Sequence, residues 1–236
     1  MKKILAFALL FCMIFTPQLV SAENTIHVET VRKEGKSPYF EYELNIPKFS
    51  SLNNTSFEKK LNLYYQAKIM NFKKKLEKEA KKYYDVADQQ STTLHPYIAN
   101  TDYKITYKKL PLLSLYMNYY QYTGGAHGIY EWKANTFDIE EGKELLLEDL
   151  FKKESNYKDI IRQEVVRQIE KNKDHFFPDA AEQVEKAEHF KFFLEPDHLV
   201  IYFPLYEIAP YAVGIQQFRI PYTMLQNVFE EKYKKI

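Results

Sequence analysis

The sequence predicts an α+β fold of antiparallel sheets with helices packed on one side, and three observations carry that prediction. Short runs alternate apolar and polar residues, two longer runs repeat apolar residues every three or four positions, and each half follows the order strand, strand, helix, strand, strand.

Ile26, Val28 and Thr30 alternate with His27 and Glu29, and after Glu34-Gly35-Lys36-Ser37-Pro38 the alternation resumes from Phe40 to Ile46, where Pro47 closes it. Thr55 followed by Glu58 reads as a capping box, and Phe57, Leu61, Tyr65, Ile69, Phe72, Leu76, Ala80 and Tyr83 mark a long amphipathic helix. Its other face holds Lys59, Lys60, Lys73, Lys74, Lys78, Lys81 and Lys82, read as a solvated face in preference to a membrane stripe. Tyr103, Ile105 and Tyr107 mark a strand, and Pro111 separates it from the next, Leu112 to Tyr122. There Leu113, Leu115, Met117 and Tyr119 share one face and Ser114, Tyr116, Asn118 and Tyr120 the other.

A glycine-rich loop joins that strand to Tyr130, Trp132, Ala134 and Thr136, which predicts a hairpin. Leu145 to Phe151 is a short apolar element. Tyr157, Ile161, Val165 and Ile169 mark a second helix, and Ala180 to Ala187 a third. Phe190 to Leu194, Leu199 to Phe203 and Phe218 to Ile220 read as strands, and Met224 to Lys235 as a closing helix. Three segments result: a signal peptide over 1–22, an N-terminal α+β domain over 23–111, and a C-terminal α+β domain over 112–236.

Lys2 and Lys3, the apolar run from Ile4 to Phe15, Pro17 and the small-x-small ending Val20-Ser21-Ala22 predict secretion with cleavage after Ala22. The apolar run is shorter than the ~20 residues a spanning helix needs, so no stable membrane insertion is expected after cleavage. The same cut removes Cys12, the only cysteine, which excludes disulfides and thiol chemistry from the remainder. It leaves 31 basic residues against 32 acids, a net charge of −1, without the basic excess that nucleic-acid binding needs.

Among the six histidines there is no H-x-H, H-E-x-x-H or H-x-x-x-H pair, so no metal is expected. G-x-S-x-G, G-x-x-x-x-G-K and dinucleotide fingerprints are also missing, and the sequence predicts no catalytic residue, no cofactor and no enzyme. Two segments stand apart. Tyr120, Tyr122, Thr123, Gly124, Gly125, His127 and Gly128 form an aromatic strand end and a loop whose glycines permit positive φ and close approach. Tyr206, Pro210 and Tyr211 lie in an irregular proline- and tyrosine-rich stretch suited to a rigid binding surface. Both are candidate partner-binding sites, with a tight hairpin and a core-lining crossover as the structural alternatives.

YxYTGGAHG at Tyr120 to Gly128, FDIEEGKELLLEDLF at Phe137 to Phe151 and YEIAPYAVGIQQFRIPY at Tyr206 to Tyr222 together resemble a bacterial extracellular module. It is similar to the tandem domain of the anti-sigma-V factor RsiV, which also precedes the catalytic domain of PdaC-type peptidoglycan deacetylases. The resemblance implies a protein-binding role towards lysozyme-like muramidases. The chain shows neither the sigma-binding region and membrane span of the one nor the deacetylase domain of the other. The expectation is therefore a secreted, non-catalytic binder of muramidases, with a peptidoglycan or cell-wall glycan binder as the alternative.

Overall fold

The computed structural model describes residues 26–88 and 95–236, so the signal segment at 1–22 lies outside the described residues. The α+β class is borne out. β1 (His27–Lys36), β2 (Phe40–Ser50), β3 (Tyr97–Lys109), β4 (Leu112–Tyr122), β5 (Ile129–Asp138) and β6 (Lys143–Leu145) form one six-stranded sheet in that order. β7 (Lys191–Leu194), β8 (His198–Phe203) and β9 (Gln216–Pro221) form a second, three-stranded sheet.

The pairing is antiparallel except between β2 and β3, which run parallel. The long helix α1 (Thr55–Asp88) lies between these two strands in the chain and returns it to the end of the sheet from which β2 started. β2 also runs past Pro47, where the sequence predicts an end. Glu43 and Phe49 donate their backbone N–H to Asn100 Oδ1 (3.2 Å) and Asn62 Oδ1 (2.8 Å), so the odd-numbered residues of β2 point their amides away from β1. Pro47 shares that parity and interrupts no bond to β1.

α1 is capped one residue earlier than Thr55. Asn54 Oδ1 accepts the Phe57 N–H at 3.0 Å, and Glu58 reaches back to the Leu52 N–H at 3.0 Å. Leu61, Tyr65 and Ile69 then press onto Leu113, Leu115 and Met117 of β4, a buried layer in which each large apolar side chain contributes about 1.5–3 kcal/mol. No described helix is long and apolar enough to cross a membrane.

On the opposite face of the six-stranded sheet, Tyr116 and Trp132 stack at 4.0 Å between ring centroids and pack against Phe193, Val200 and Tyr202 of the smaller sheet. A buried polar tie joins the sheets as well: Ser114 Oγ accepts the Leu194 N–H at 3.0 Å and pairs with Thr136 Oγ1 at 2.8 Å. The far face of the smaller sheet, with Leu199, Ile201, Phe218 and Ile220, is covered by α2 (Tyr157–Lys171), against which α3 (Ala180–Lys186) rests. The molecule is thus layered as helix, sheet, sheet, helix.

The division expected between residues 111 and 112 falls at the turn of the β3–β4 hairpin, whose strands pair from Ile98 with Tyr122 to Lys109 with Leu112. One sheet therefore continues through it. The strand order expected of each half holds from β1 to β4, whereas the later part has three strands after its helices.

In place of the closing helix there is a short α4 (Tyr222–Leu225), then a 3₁₀ turn at Glu231–Tyr233. Between them, backbone bonds from Lys152 to Val228 and from Glu230 to Leu150 use the groups a helix would need. Asp138, fully buried, anchors this terminus. Its Oδ1 accepts the N–H groups of Glu140 (3.1 Å) and Glu141 (2.9 Å), and its Oδ2 accepts Tyr233 Oη–H (3.0 Å) and Lys232 Nζ, which also bonds Glu141.

Candidate functional site

The two segments singled out in the sequence meet. β4 ends on Tyr122, whose hydroxyl donates to Gly125 O at 2.9 Å and closes the loop. Gly124 (φ +100°) and Gly125 (φ +93°) adopt the left-handed region with open space around them, so glycine is required there by backbone shape. Gly128 is required for a different reason: the ring of Tyr120 lies where a Cβ would stand.

Across from this loop, Pro210 starts the 3₁₀ turn Tyr211–Val213. The Tyr211 ring lies on the His127 imidazole, 4.2 Å between centroids and 20° from parallel, and its hydroxyl donates to Gly128 O at 2.7 Å. His127 Nδ1 lies 2.9 Å from the same carbonyl. A carbonyl only accepts, so Nδ1 carries the proton. Tyr130 meets Tyr211 edge-on at 6.3 Å and Tyr206 tilts over it at 5.6 Å. Tyr206 holds φ +65°, a strained position for a bulky residue, and presents an exposed ring. Desolvation, then the neighbouring phenols Tyr130, Tyr120 and Tyr206, raise the Tyr211 pKa and keep it a neutral donor.

Tyr130 also stands at the end of a groove of about 660 Å³ between α1 and the β4–β5 strands. Phe72 and Tyr119 meet edge-on at 5.1 Å in its wall, with Tyr64 on α1 and Ile129 on β5. Lys133 Nζ lies 5.5 Å over the Tyr119 ring and Lys68 Nζ 5.5 Å over Tyr64. Asn71, Gln121 and Asn135 add amides, and Asn135 is fixed by Tyr65 Oη (3.1 Å) and Glu144 (2.5 Å). Burial raises the pKa of Tyr119, and of Tyr64 with help from the Glu144 charge. Aromatic faces beside fixed amides and charged groups are the chemistry that grips a sugar ring. Among the described residues no group of three or more His, Cys, Asp or Glu is placed to hold a metal ion.

Tyr120, Tyr122, Gly125, His127, Gly128, Tyr206, Pro210 and Tyr211 thus belong to one surface, with Thr123 and Gly124 exposed at its rim. The sequence reading missed Tyr130, whose signal was its place directly after the glycine loop. It also missed the groove. Tyr64 and Tyr119 are 55 positions apart, and their approach depends on how α1 lies on the sheet.

Two family models match the chain, "Deacetylase PdaC" over residues 33–130 and "Protein of unknown function (DUF3298)" over residues 148–223. A curated relative, the peptidoglycan-N-acetylmuramic acid deacetylase PdaC of Bacillus subtilis, is 29% identical over 217 residues, which are 90% of this chain and 44% of that protein. The chain therefore spans less than half the length of this relative. A crystal structure of a DUF3298 family member from Bacteroides fragilis superposes with a TM-score of 0.64 at 21% identity, covering 87% of this chain and 93% of that one. Another, from Pseudomonas aeruginosa, gives 0.56 at 16% identity, covering 88% and 95%. The expectation that the chain is not an enzyme is corrected: the relative matching nine-tenths of it is a deacetylase. The chain joins a PdaC-like first part to a DUF3298-like second part, and its similarity is to a PdaC-associated DUF3298 domain.

Proposed function

We propose that the chain works outside the cytoplasmic membrane on peptidoglycan, holding a glycan strand in the α1–β5 groove and over the aromatic surface around Tyr211 as part of PdaC-like deacetylase chemistry. The observation that carries this reading is the continuity of the two features: Tyr130 belongs to both the groove and the Tyr211 cluster. The similarity to a peptidoglycan deacetylase supports the choice of polymer. Tyr64 and Ile129 supply apolar contact for pyranose faces, while Asn71 and Gln121 supply donors and acceptors for their hydroxyl and amide groups.

The test is retention by purified, insoluble peptidoglycan, with released acetate measured in the same tubes. The intact protein is expected to sediment with the wall, and Tyr64→Ala and Tyr130→Ala to release it. Equal retention of both variants, or none of the intact protein, would overturn the reading.

A second reading is a surface that receives a lysozyme-like muramidase, as the resemblance to RsiV implies. It is favoured by the exposed glycine loop and Tyr206, which sit together on one open surface. A stable complex with lysozyme that Tyr206→Ala abolishes, in a protein that ignores peptidoglycan, would exchange the two readings.

A further inference from the structure

α1 crosses the six-stranded sheet obliquely. At Tyr65 it lies over β5, where the phenol donates to Asn135 Oδ1 (3.1 Å) and meets Phe137 edge-on at 6.4 Å. By Ala80 it packs with Ala99 of β3 and Phe40 of β2. From Tyr65 to Ala80 the helix rises about 23 Å, while β5 and β3 stand two strand spacings apart, about 10 Å. The groove between α1 and β5 is therefore a wedge, narrow at Asn135 and wider by about 10 Å at its other end, the width of two extended chains side by side.

Gln121 lies on the floor of the wide end, in register with Ile129 of β5 on one side and Ala99 of β3 on the other. On the β5 margin Ile129 is exposed, Tyr130 leads to the Tyr211 cluster, and the two charges, Lys133 and Glu131, are paired with each other at 3.2 Å. On the α1 margin Lys75 and Glu79 are exposed, and among the described residues neither has an ion partner within 4 Å. Tyr83 follows Glu79 by one turn on the same face of α1. It is 47% exposed and stacks on Tyr97 of β3 at 5.6 Å between centroids, 28° from parallel. Tyr97 shares a sheet face with Ala99. Burial, then the Tyr83 phenol and the Glu79 carboxylate, raise the Tyr97 pKa, so this aromatic pair stands beside the groove wall.

The wide end thus has two aromatic exits on opposite sides of Gln121. An unbranched glycan fills one of them, whereas a glycan that carries peptide branches fills both. N-acetylated pyranoses have no charge for Lys75 and Glu79 to meet, while a peptide branch offers carboxylates and amino groups. We propose that the α1 margin receives the peptide branch of a peptide-substituted glycan: Tyr83 and Tyr97 pack on its aliphatic parts, Lys75 and Glu79 meet its charges, and the sugar chain leaves past Ile129 and Tyr130. The inference rests on the peptidoglycan reading and deepens it, since the ligand becomes the branched polymer in preference to a bare sugar chain.

The experiment titrates the intact protein with fluorescently labelled glycan strands that still bear their peptides, and with the same strands after an amidase has removed them, at low and high salt. Tyr83→Ala, a K75Q/E79Q variant and Tyr64→Ala are treated alike, with circular dichroism to check that the helix is kept. The intact protein is expected to bind the peptide-bearing strands about tenfold more tightly at low salt, a preference that shrinks as salt screens the charges. Tyr83→Ala is expected to narrow the preference to about twofold, and K75Q/E79Q to remove its salt dependence. Tyr64→Ala is expected to weaken binding of both forms. Equal affinity of the intact protein for the two forms, or a preference that both α1-margin variants keep in full, would overturn this inference and leave the peptidoglycan reading standing. Binding of neither form would overturn both.

Discussion

His127 and Tyr211, 84 positions apart in the chain, lie face to face and share one carbonyl, that of Gly128. The contact ties the glycine loop of the larger sheet to the irregular segment after β8, so the candidate site depends on both sheets.

Tyr211→Phe keeps the ring on His127 and removes one hydrogen bond. A loss of about 1 kcal/mol in denaturant unfolding is expected, with peptidoglycan retention reduced about fivefold. His127→Ala removes the stack and is expected to weaken retention at least as much, with little change in helix content.

Gly128→Ala places a methyl group where the far end of the Tyr120 ring lies. That ring can swing aside, so the stability cost is expected to stay near ~1 kcal/mol while the aromatic surface loses its arrangement. Tyr120→Ala combined with Gly128→Ala is expected to recover most of the stability and none of the binding.

Trp132→Ala removes the ring stacked on Tyr116 between the sheets. A loss of about 3–5 kcal/mol is expected, read from the urea midpoint.

Asp138→Asn leaves the shape of the buried anchor and takes away its charge, so Lys232 retains only Glu141. About 3 kcal/mol of destabilisation is expected, with protection from hydrogen exchange lost first in residues 226–236.

The same anchor predicts a pH dependence. The hydrogen bond from Lys232, then that from Lys143, pulls Glu141 from 4.5 down to about 2. A depressed carboxylate stabilises the fold above its unfolded value, so this contribution is present above pH 4.5 and fades between 4.5 and 2. Burial works to lower the Lys232 pKa, but hydrogen bonds to Asp138 and Glu141 outweigh it and the pKa is raised. Its contribution is present below 10.5 and is lost as the pH climbs through the raised value. Lys232→Met is expected to flatten both limbs of a melting-temperature profile. Glu141 is 43% exposed, so the acid limb is expected to change by only a few degrees.

Periodicity made every strand but the short β6, the first three helices and the inward face of β4 legible, because each is written in neighbouring residues. The glycine and proline-tyrosine segments were legible as candidates for the same reason. What stayed hidden depends on contacts remote in sequence. The parallel β2–β3 pair follows from where α1 lands, and the broken C-terminal helix follows from Leu150 and Lys152 capturing its backbone. The groove needs α1 laid across β4 and β5. Pro47 and Asn54 show how one residue's parity or one earlier side chain moves a boundary that composition sets only roughly.

β5 belongs to two neighbourhoods. Its backbone is laddered to β4, while Tyr202 Oη takes the Ala134 N–H at 3.2 Å and reaches Trp132 O at 3.3 Å from the other sheet. A fragment cut after Tyr130, where the first matched segment stops, would leave β4 without its partner and expose a long edge ready to pair with another molecule. The two matched segments are thus expected to be expressed, purified and inherited as a unit, with recombination points lying before β1 or after the 3₁₀ turn at Glu231–Tyr233.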